Sequence, residues 1–124
     1  MRLTANSSLD TGFGNGGKAT TDFSPSFLDN VSALALQADG KIVAAGTQTF
    51  NSPAAGGSDF ALARFNPNGT LDGSFDGDGK LTVDFFGSSD FATNVAVQPD
   101  GKIVVGGSAK NGSSGGLGLA RVNP

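Results

Sequence analysis

The chain reads as an all-β repeat protein, and three observations carry that reading. It contains 20 glycines and only 15% charged residues, a balance that suits short strands and tight turns better than long helices. No segment holds a helical period, and Ala33-Leu34-Ala35 is too short and too closely bounded by turns to start one. One ten-residue stretch is used twice, as Gln37-Ala38-Asp39-Gly40-Lys41-Ile42-Val43-Ala44-Ala45-Gly46 and as Gln98-Pro99-Asp100-Gly101-Lys102-Ile103-Val104-Val105-Gly106-Gly107. Each copy is a hairpin signal, an Asp-Gly turn with an apolar strand on either side.

The repetition extends well beyond the hairpin. Leu9-Asp10-Thr11-Gly12-Phe13 returns as Leu71-Asp72-Gly73-Ser74-Phe75, Gly17-Lys18 as Gly79-Lys80, and Asp22-Phe23 as Asp84-Phe85. Leu62-Ala63-Arg64-Phe65-Asn66-Pro67 returns as Leu119-Ala120-Arg121-Val122-Asn123-Pro124. The spacing, about sixty residues, shortens toward the C-terminus, which places the larger length difference in the loops Thr47–Asp59 and Ser108–Gly116. Both loops are rich in Gly, Ser and Ala and are expected to be flexible.

Each repeat supplies candidate strands in the same order. Copy one gives Lys18–Phe23, Ala33–Gln37, Lys41–Gly46 and Phe60–Phe65; copy two gives Lys80–Phe85, Asn94–Gln98, Lys102–Gly107 and Leu117–Val122. Runs such as Ile103-Val104-Val105 lack polar alternation, so both faces of the sheet should be covered. Short strands in fours, buried on both faces and repeating at this period, predict β-propeller blades of four antiparallel strands, two blades per chain.

The motifs Leu-Asp-x-x-Phe, Asp-Gly-Lys-Ile-Val and Ala-Arg-x-Asn-Pro, in one order in both copies, resemble the delta-60 repeat of bacterial β-propeller proteins. The resemblance covers nearly the whole of residues 1–124. It implies a propeller and an often exported or cell-surface setting, and it brings no reaction and no catalytic residues. Gly14 against Asp76, and Ala38 against Pro99, are modest departures.

Arg2-Leu3-Thr4-Ala5 aligns with Arg64-Phe65-Asn66-Pro67 and with Arg121-Val122-Asn123-Pro124. With strands named a to d from the inside of a blade outward, the chain runs d, a-b-c-d, a-b-c. A complete blade is expected over about 31–85 and a partial one over about 92–124, with strand d at 18–23 offered to a neighbouring blade. Two blades alone would leave apolar faces and a strand edge in water. The expected partner is therefore a second copy of the chain, in a ring closed by oligomerisation. Strand Lys18–Phe23 of one copy would pair with Leu117–Val122 of the next. Three copies, giving about six blades, are favoured over four. A fragment or engineered piece of a larger propeller fits the same pattern.

Candidate sites each meet a plainer structural reading. Asp72, Asp76 and Asp78 sit in a Gly-rich loop at the alternate spacing of a calcium loop, yet the closing Glu is missing and the chain contains no Glu at all. A turn before a strand is the preferred reading, and no metal or other cofactor is expected. Asp39-Gly40 and Asp100-Gly101 read as turn chemistry. Arg64 and Arg121 read as structural partners of a carboxylate among Asp10, Asp22, Asp72 and Asp84, ahead of an anion-binding ring. Phe13 and Phe75 read as plugs between blades.

Function classes narrow by exclusion. There is no His and no Cys, so the usual general base, thiolate nucleophile and soft metal ligands are missing. The repeated Asp residues already have turn roles, and the chain reads as non-enzymatic. A net charge of −3 speaks against a nucleic-acid partner. Met1–Ala5 lacks the apolar core of a signal peptide, and no run is long enough for membrane insertion. No compartment follows. The leading expectation is a scaffold or interaction module. A multivalent, lectin-like glycan or small-ligand propeller is the alternative, weakened because all ten aromatics are Phe.

Overall fold

A computed structural model describes residues 1–23, 28–50 and 57–123. Seven strands form two antiparallel sheets. In blade 1, β1 (Leu28–Leu36), β2 (Ile42–Thr49), β3 (Ser58–Phe65) and β4 (Lys80–Val83) lie side by side in chain order. In blade 2, β5 (Phe91–Val97), β6 (Ile103–Asn111) and β7 (Ser114–Val122) do the same. No helix among the described residues is long and apolar enough to cross a membrane.

The doubled Asp-Gly stretch makes the first hairpin of each blade. Gln37 N–H donates to the Lys41 carbonyl at 2.8 Å, and Gln98 N–H to the Lys102 carbonyl at the same distance. Gly40 and Gly101 both take φ of 83°, the left-handed position that this turn requires. The Asp39 and Asp100 carboxylates each accept the amide of the following Lys at 3.1 Å. These acids are spent on the turn.

Both first strands begin earlier than their apolar runs suggest. A bulge between Val31 and Ala33, repeated between Ala92 and Asn94, carries the pairing outward. Opposite the bulges stand Gly46 and Gly107, where an added Cβ would lie 1.8 Å from the Asn30 carbonyl oxygen and 2.0 Å from that of Phe91. Glycine is needed here for close backbone approach.

Two expectations are corrected, and a third segment is described for the single chain. Ser108–Gly116 is mostly strand, not a flexible loop: Asn111 pairs with Ser114, and Gly112, at φ of 60°, turns the chain in two residues. Strand β4 stops at Val83, because the Asp84 carboxylate accepts the amides of Phe86 and Gly87 and bends the chain away. Within the single chain Lys18–Phe23 forms no ladder: Lys18 makes isolated bridges to Gly14 and Asn15, the Asp22 carbonyl accepts from Lys80, and the Phe23 amide donates to Asp29. Of the loop Thr47–Asp59, residues 51–56 lie outside the described set.

Alternation gives each sheet two faces. The forward face of blade 1 carries Val43, Ala45, Phe60 and Leu62; the rear face of blade 2 carries Val95, Ile103, Val105 and Ala120. Together with Phe75 these form the core between the blades. Phe60, Leu62, Val43, Ile103 and Val105 are fully buried, and each contributes about 1.5–3 kcal/mol by leaving water. Phe85 closes the rim edge-on to Phe60 at 5.0 Å.

Candidate functional site

The polar feature the fold builds most carefully is a latch at the end of β3. Arg64 and Asp72 are only 3% and 5% exposed. The Arg64 Nε donates to Asp72 Oδ2 at 2.7 Å, and its guanidinium lies 4.8 Å from the centre of the Phe75 ring. Ser74 donates its hydroxyl to Asp72 at 2.7 Å and accepts from Arg64 at 3.1 Å, while Lys41 reaches Asp72 at 3.1 Å. The Ser74 hydroxyl, with Lys41, the Ser74 amide and Arg64 behind it, holds the Asp72 carboxyl well below the ordinary carboxylate range. Every charge in this set faces another protein group.

Residues 2–18 build the same latch again. Arg2 Nε donates to Asp10 Oδ2 at 2.6 Å, and its guanidinium stands 4.9 Å from the Phe13 ring centre. The main-chain bonds match: Arg2 N–H to the Gly17 carbonyl and Arg64 N–H to the Gly79 carbonyl, both 2.9 Å. The differences are composition and cover: Gly12 stands where Ser74 does, among the described residues no lysine is paired with Asp10, and the side chains of Arg2 and Asp10 are 44% and 31% exposed. Phe13 itself is buried, lodged against the rear of blade 1 as Phe75 is lodged between the blades.

Asp72, Asp76 and Asp78 are not brought together as a cation loop would require. Asp72 turns inward to Arg64, Asp78 pairs with Lys80 at 3.8 Å, and Asp76 takes a positive φ of 49° at the surface. Among the described residues the carboxylates that converge are Asp59, Asp84 and Asp90, within 4.8 Å of one another. Burial, with Asp84 and Asp90 beside it, raises the Asp59 carboxyl. Asp90 is fully buried and accepts the Phe85 and Lys110 amides, each at 2.9 Å. These oxygens fasten the β4–β5 connection to β6. Asp29 treats Phe23 alike, accepting its amide at 2.9 Å. The Asp29/Asp90 pair went unread in the sequence although it recurs at the spacing of the doubled hairpin.

Two apolar faces lack a neighbouring blade. Among the described residues, 1–23 roof the rear face of blade 1 and leave a cavity of about 410 Å³ lined by Phe13, Val31, Ala44, Gly46, Ala61 and Ala63. Phe23 also lines it and stacks beside Lys80, whose ammonium lies 5.9 Å from the ring centre. On the forward face of blade 2, Leu117 and Leu119 are 97% and 71% exposed. The outer edge of β7 has no partner strand among the described residues.

Of the residues expected to act in assembly, Leu117 and Val122 lie in β7, while Lys18 and Phe23 bound the segment 19–22, part of which lies over the rear of blade 1. Leu117 points from the forward face and Val122 from the rear. The four are not in mutual contact within one chain.

Neither a curated relative nor a solved structure matches the chain. A family model does: the domain of unknown function (DUF5122) beta-propeller matches residues 37–75 and 98–124. The two matched stretches take in the doubled hairpin, the third strand of each blade and the Arg64 latch. Spread over both blades and more than half of the sequence, they make the chain a member of the DUF5122 β-propeller family, a domain of unknown function.

Proposed function

We propose that the chain is a non-enzymatic β-propeller scaffold, built on the delta-60 type of repeat, that completes its ring with further copies of itself. One observation carries the proposal. The contact between the blades joins a forward face to a rear face, and the two faces without a neighbouring blade are the same pair: the forward face of blade 2, where Leu117 and Leu119 are exposed, and the rear face of blade 1, which residues 1–23 cover. Leu117 and Leu119 stand where Phe60 and Leu62 stand in blade 1, and Ala44 and Ala63 stand where Val105 and Ala120 stand in blade 2. A head-to-tail contact of this kind ends only when the rotation closes. Three copies are proposed, for about six blades. The lack of His and Cys supports a scaffold over a catalyst.

The register of β3 on β4 gives a direct test. Leu62 pairs with Leu81, and their repeats are Leu119 and Ala19, so these two should face each other across copies at a Cβ separation of about 5 Å. The double variant Leu119→Cys with Ala19→Cys, oxidised at low concentration, should yield covalent dimers and trimers on a non-reducing gel. Monomers alone, or a disulfide within one chain, would overturn the proposal.

A further inference from the structure

We infer that the latch made by Asp10, Phe13 and Gly17 is a docking site for Arg121 of a second copy, and that Arg2 is its stand-in within one chain. The inference rests on the self-assembly reading and supplies the polar half of that contact.

Three arginines hold equivalent places in the repeat: Arg2, Arg64 and Arg121. The first two each have a complete latch. An Asp eight positions on accepts the guanidinium, the Phe three beyond it lies under the charge, and a Gly carbonyl receives the Arg amide. Arg121 has the strand, with Val104 opposite it in β6, but no hydrogen bond or ion pair among the described residues. It stands on the forward face of blade 2, in line with Leu119 and Leu117.

The register fixes where Arg121 would go. In blade 1 Ala63 pairs with Lys80, and the next residue, Arg64, donates its amide to Gly79. Laying β7 of one copy beside 18–23 of another in that register sets Ala120 opposite Lys18 and Arg121 opposite Gly17. That is the position Arg2 occupies, with its amide 2.9 Å from the Gly17 carbonyl. One Asp10 carboxylate and one Phe13 ring hold a single guanidinium in this geometry. Arg121 therefore enters only as Arg2 leaves.

The exchange has a direction. The Arg2–Asp10 pair is open to water, where such pairs contribute little. The Arg64–Asp72 pair shows what the same atoms become when a following blade covers them: side chains 4% and 8% exposed, with Phe75 sealed beneath. Arg121 would bring its own blade as cover. Arg2 thus satisfies Asp10 in the isolated chain and sets the concentration at which copies associate.

Sedimentation velocity over a concentration series, with the full chain and the variants Arg2→Gln, Arg121→Gln and Asp10→Asn, tests this. Thermal melts check that each variant is folded. Arg2→Gln should lower the half-assembly concentration roughly tenfold or more, and Arg121→Gln and Asp10→Asn should raise it by a similar factor, the scale of a charged hydrogen bond. An equimolar mixture of the last two should form dimers and stop there, because only one intact latch, Asp10 of one variant with Arg121 of the other, remains per pair. If the chain assembles and none of the three changes shifts the half-assembly concentration, the latch exchange is wrong and self-assembly stands. If the unaltered chain and every variant stay monomeric, the assembly reading fails and takes the exchange with it.

Discussion

Arg64 and Asp72 show how a repeated charge serves the core. Removing either partner strands the other in a buried place, which typically costs about 3 kcal/mol. Asp72→Ala should lower the unfolding free energy by about that amount in urea titrations, while Asp10→Ala, at the exposed copy of the latch, should cost under about 1 kcal/mol. The pH dependence follows from the sign of the shift. Because the Asp72 carboxyl is held below its ordinary value in the folded chain, the folded state binds that proton less tightly than the unfolded one. Its stabilisation is complete above the ordinary carboxylate range and is lost as pH falls from about 4 downward. Comparing the unaltered chain with Asp72→Asn between pH 6 and pH 2 should show the steeper acid loss in the unaltered chain; parallel curves would contradict the latch. Gly46 carries a steric version of the argument. With the Asn30 carbonyl where a Cβ would stand, Gly46→Ala should cost about 1–3 kcal/mol, against about 0.5 kcal/mol or less for Gly115→Ala, which meets nothing within 4 Å.

At the scale of elements, the strands of both blades were legible because pattern and turn chemistry agree there. Gln-x-Asp-Gly-Lys-Ile names its own turn, and Val43 and Val104 fall in runs that only a doubly covered sheet accepts. Strand ends were less legible, since they are set by tertiary partners. Leu28–Val31 joins β1 only because Gly46 admits the bulge, and β4 stops at Val83 only because Asp84 turns its carboxylate onto two later amides. Ser108–Gly116 read as a loop by composition and is a hairpin by virtue of Gly112. The candidate site was legible in part. Arg64 was assigned a carboxylate partner, but the choice among Asp10, Asp22, Asp72 and Asp84 needed the fold. Asp59, in β3, converges with Asp84 and Asp90, at the two ends of the β4–β5 connection, and no local spacing links the strand to the connection. The unpaired edge of β7 makes its own prediction. Half of its amides point away from β6, so under dilute conditions they should exchange hydrogen faster than those of β3, which is paired on both sides. Equal protection in dilute solution would contradict an open edge.

The described residues form two adjoining propeller blades. The contact between them is fully made, with Phe60, Leu62, Ile103 and Val105 out of water and Phe75 driven between the sheets. The two faces that would continue the ring are left to residues 1–23 on one side and to solvent on the other. On the proposed reading, a second copy of the chain supplies the blade that each of these faces lacks. Leu119→Asp, which sets a charge on the forward face of blade 2, should leave the contact between blades 1 and 2 intact and raise the half-assembly concentration at least tenfold, roughly the cost of desolvating one unpaired carboxylate. The measurement that bears most directly on ring closure is the solution mass of the unaltered chain as concentration rises. A closed ring predicts a plateau at a whole multiple of 12.3 kDa, three copies, with no larger species beyond it. A constant mass of 12.3 kDa at every concentration, or growth without a plateau, would contradict it.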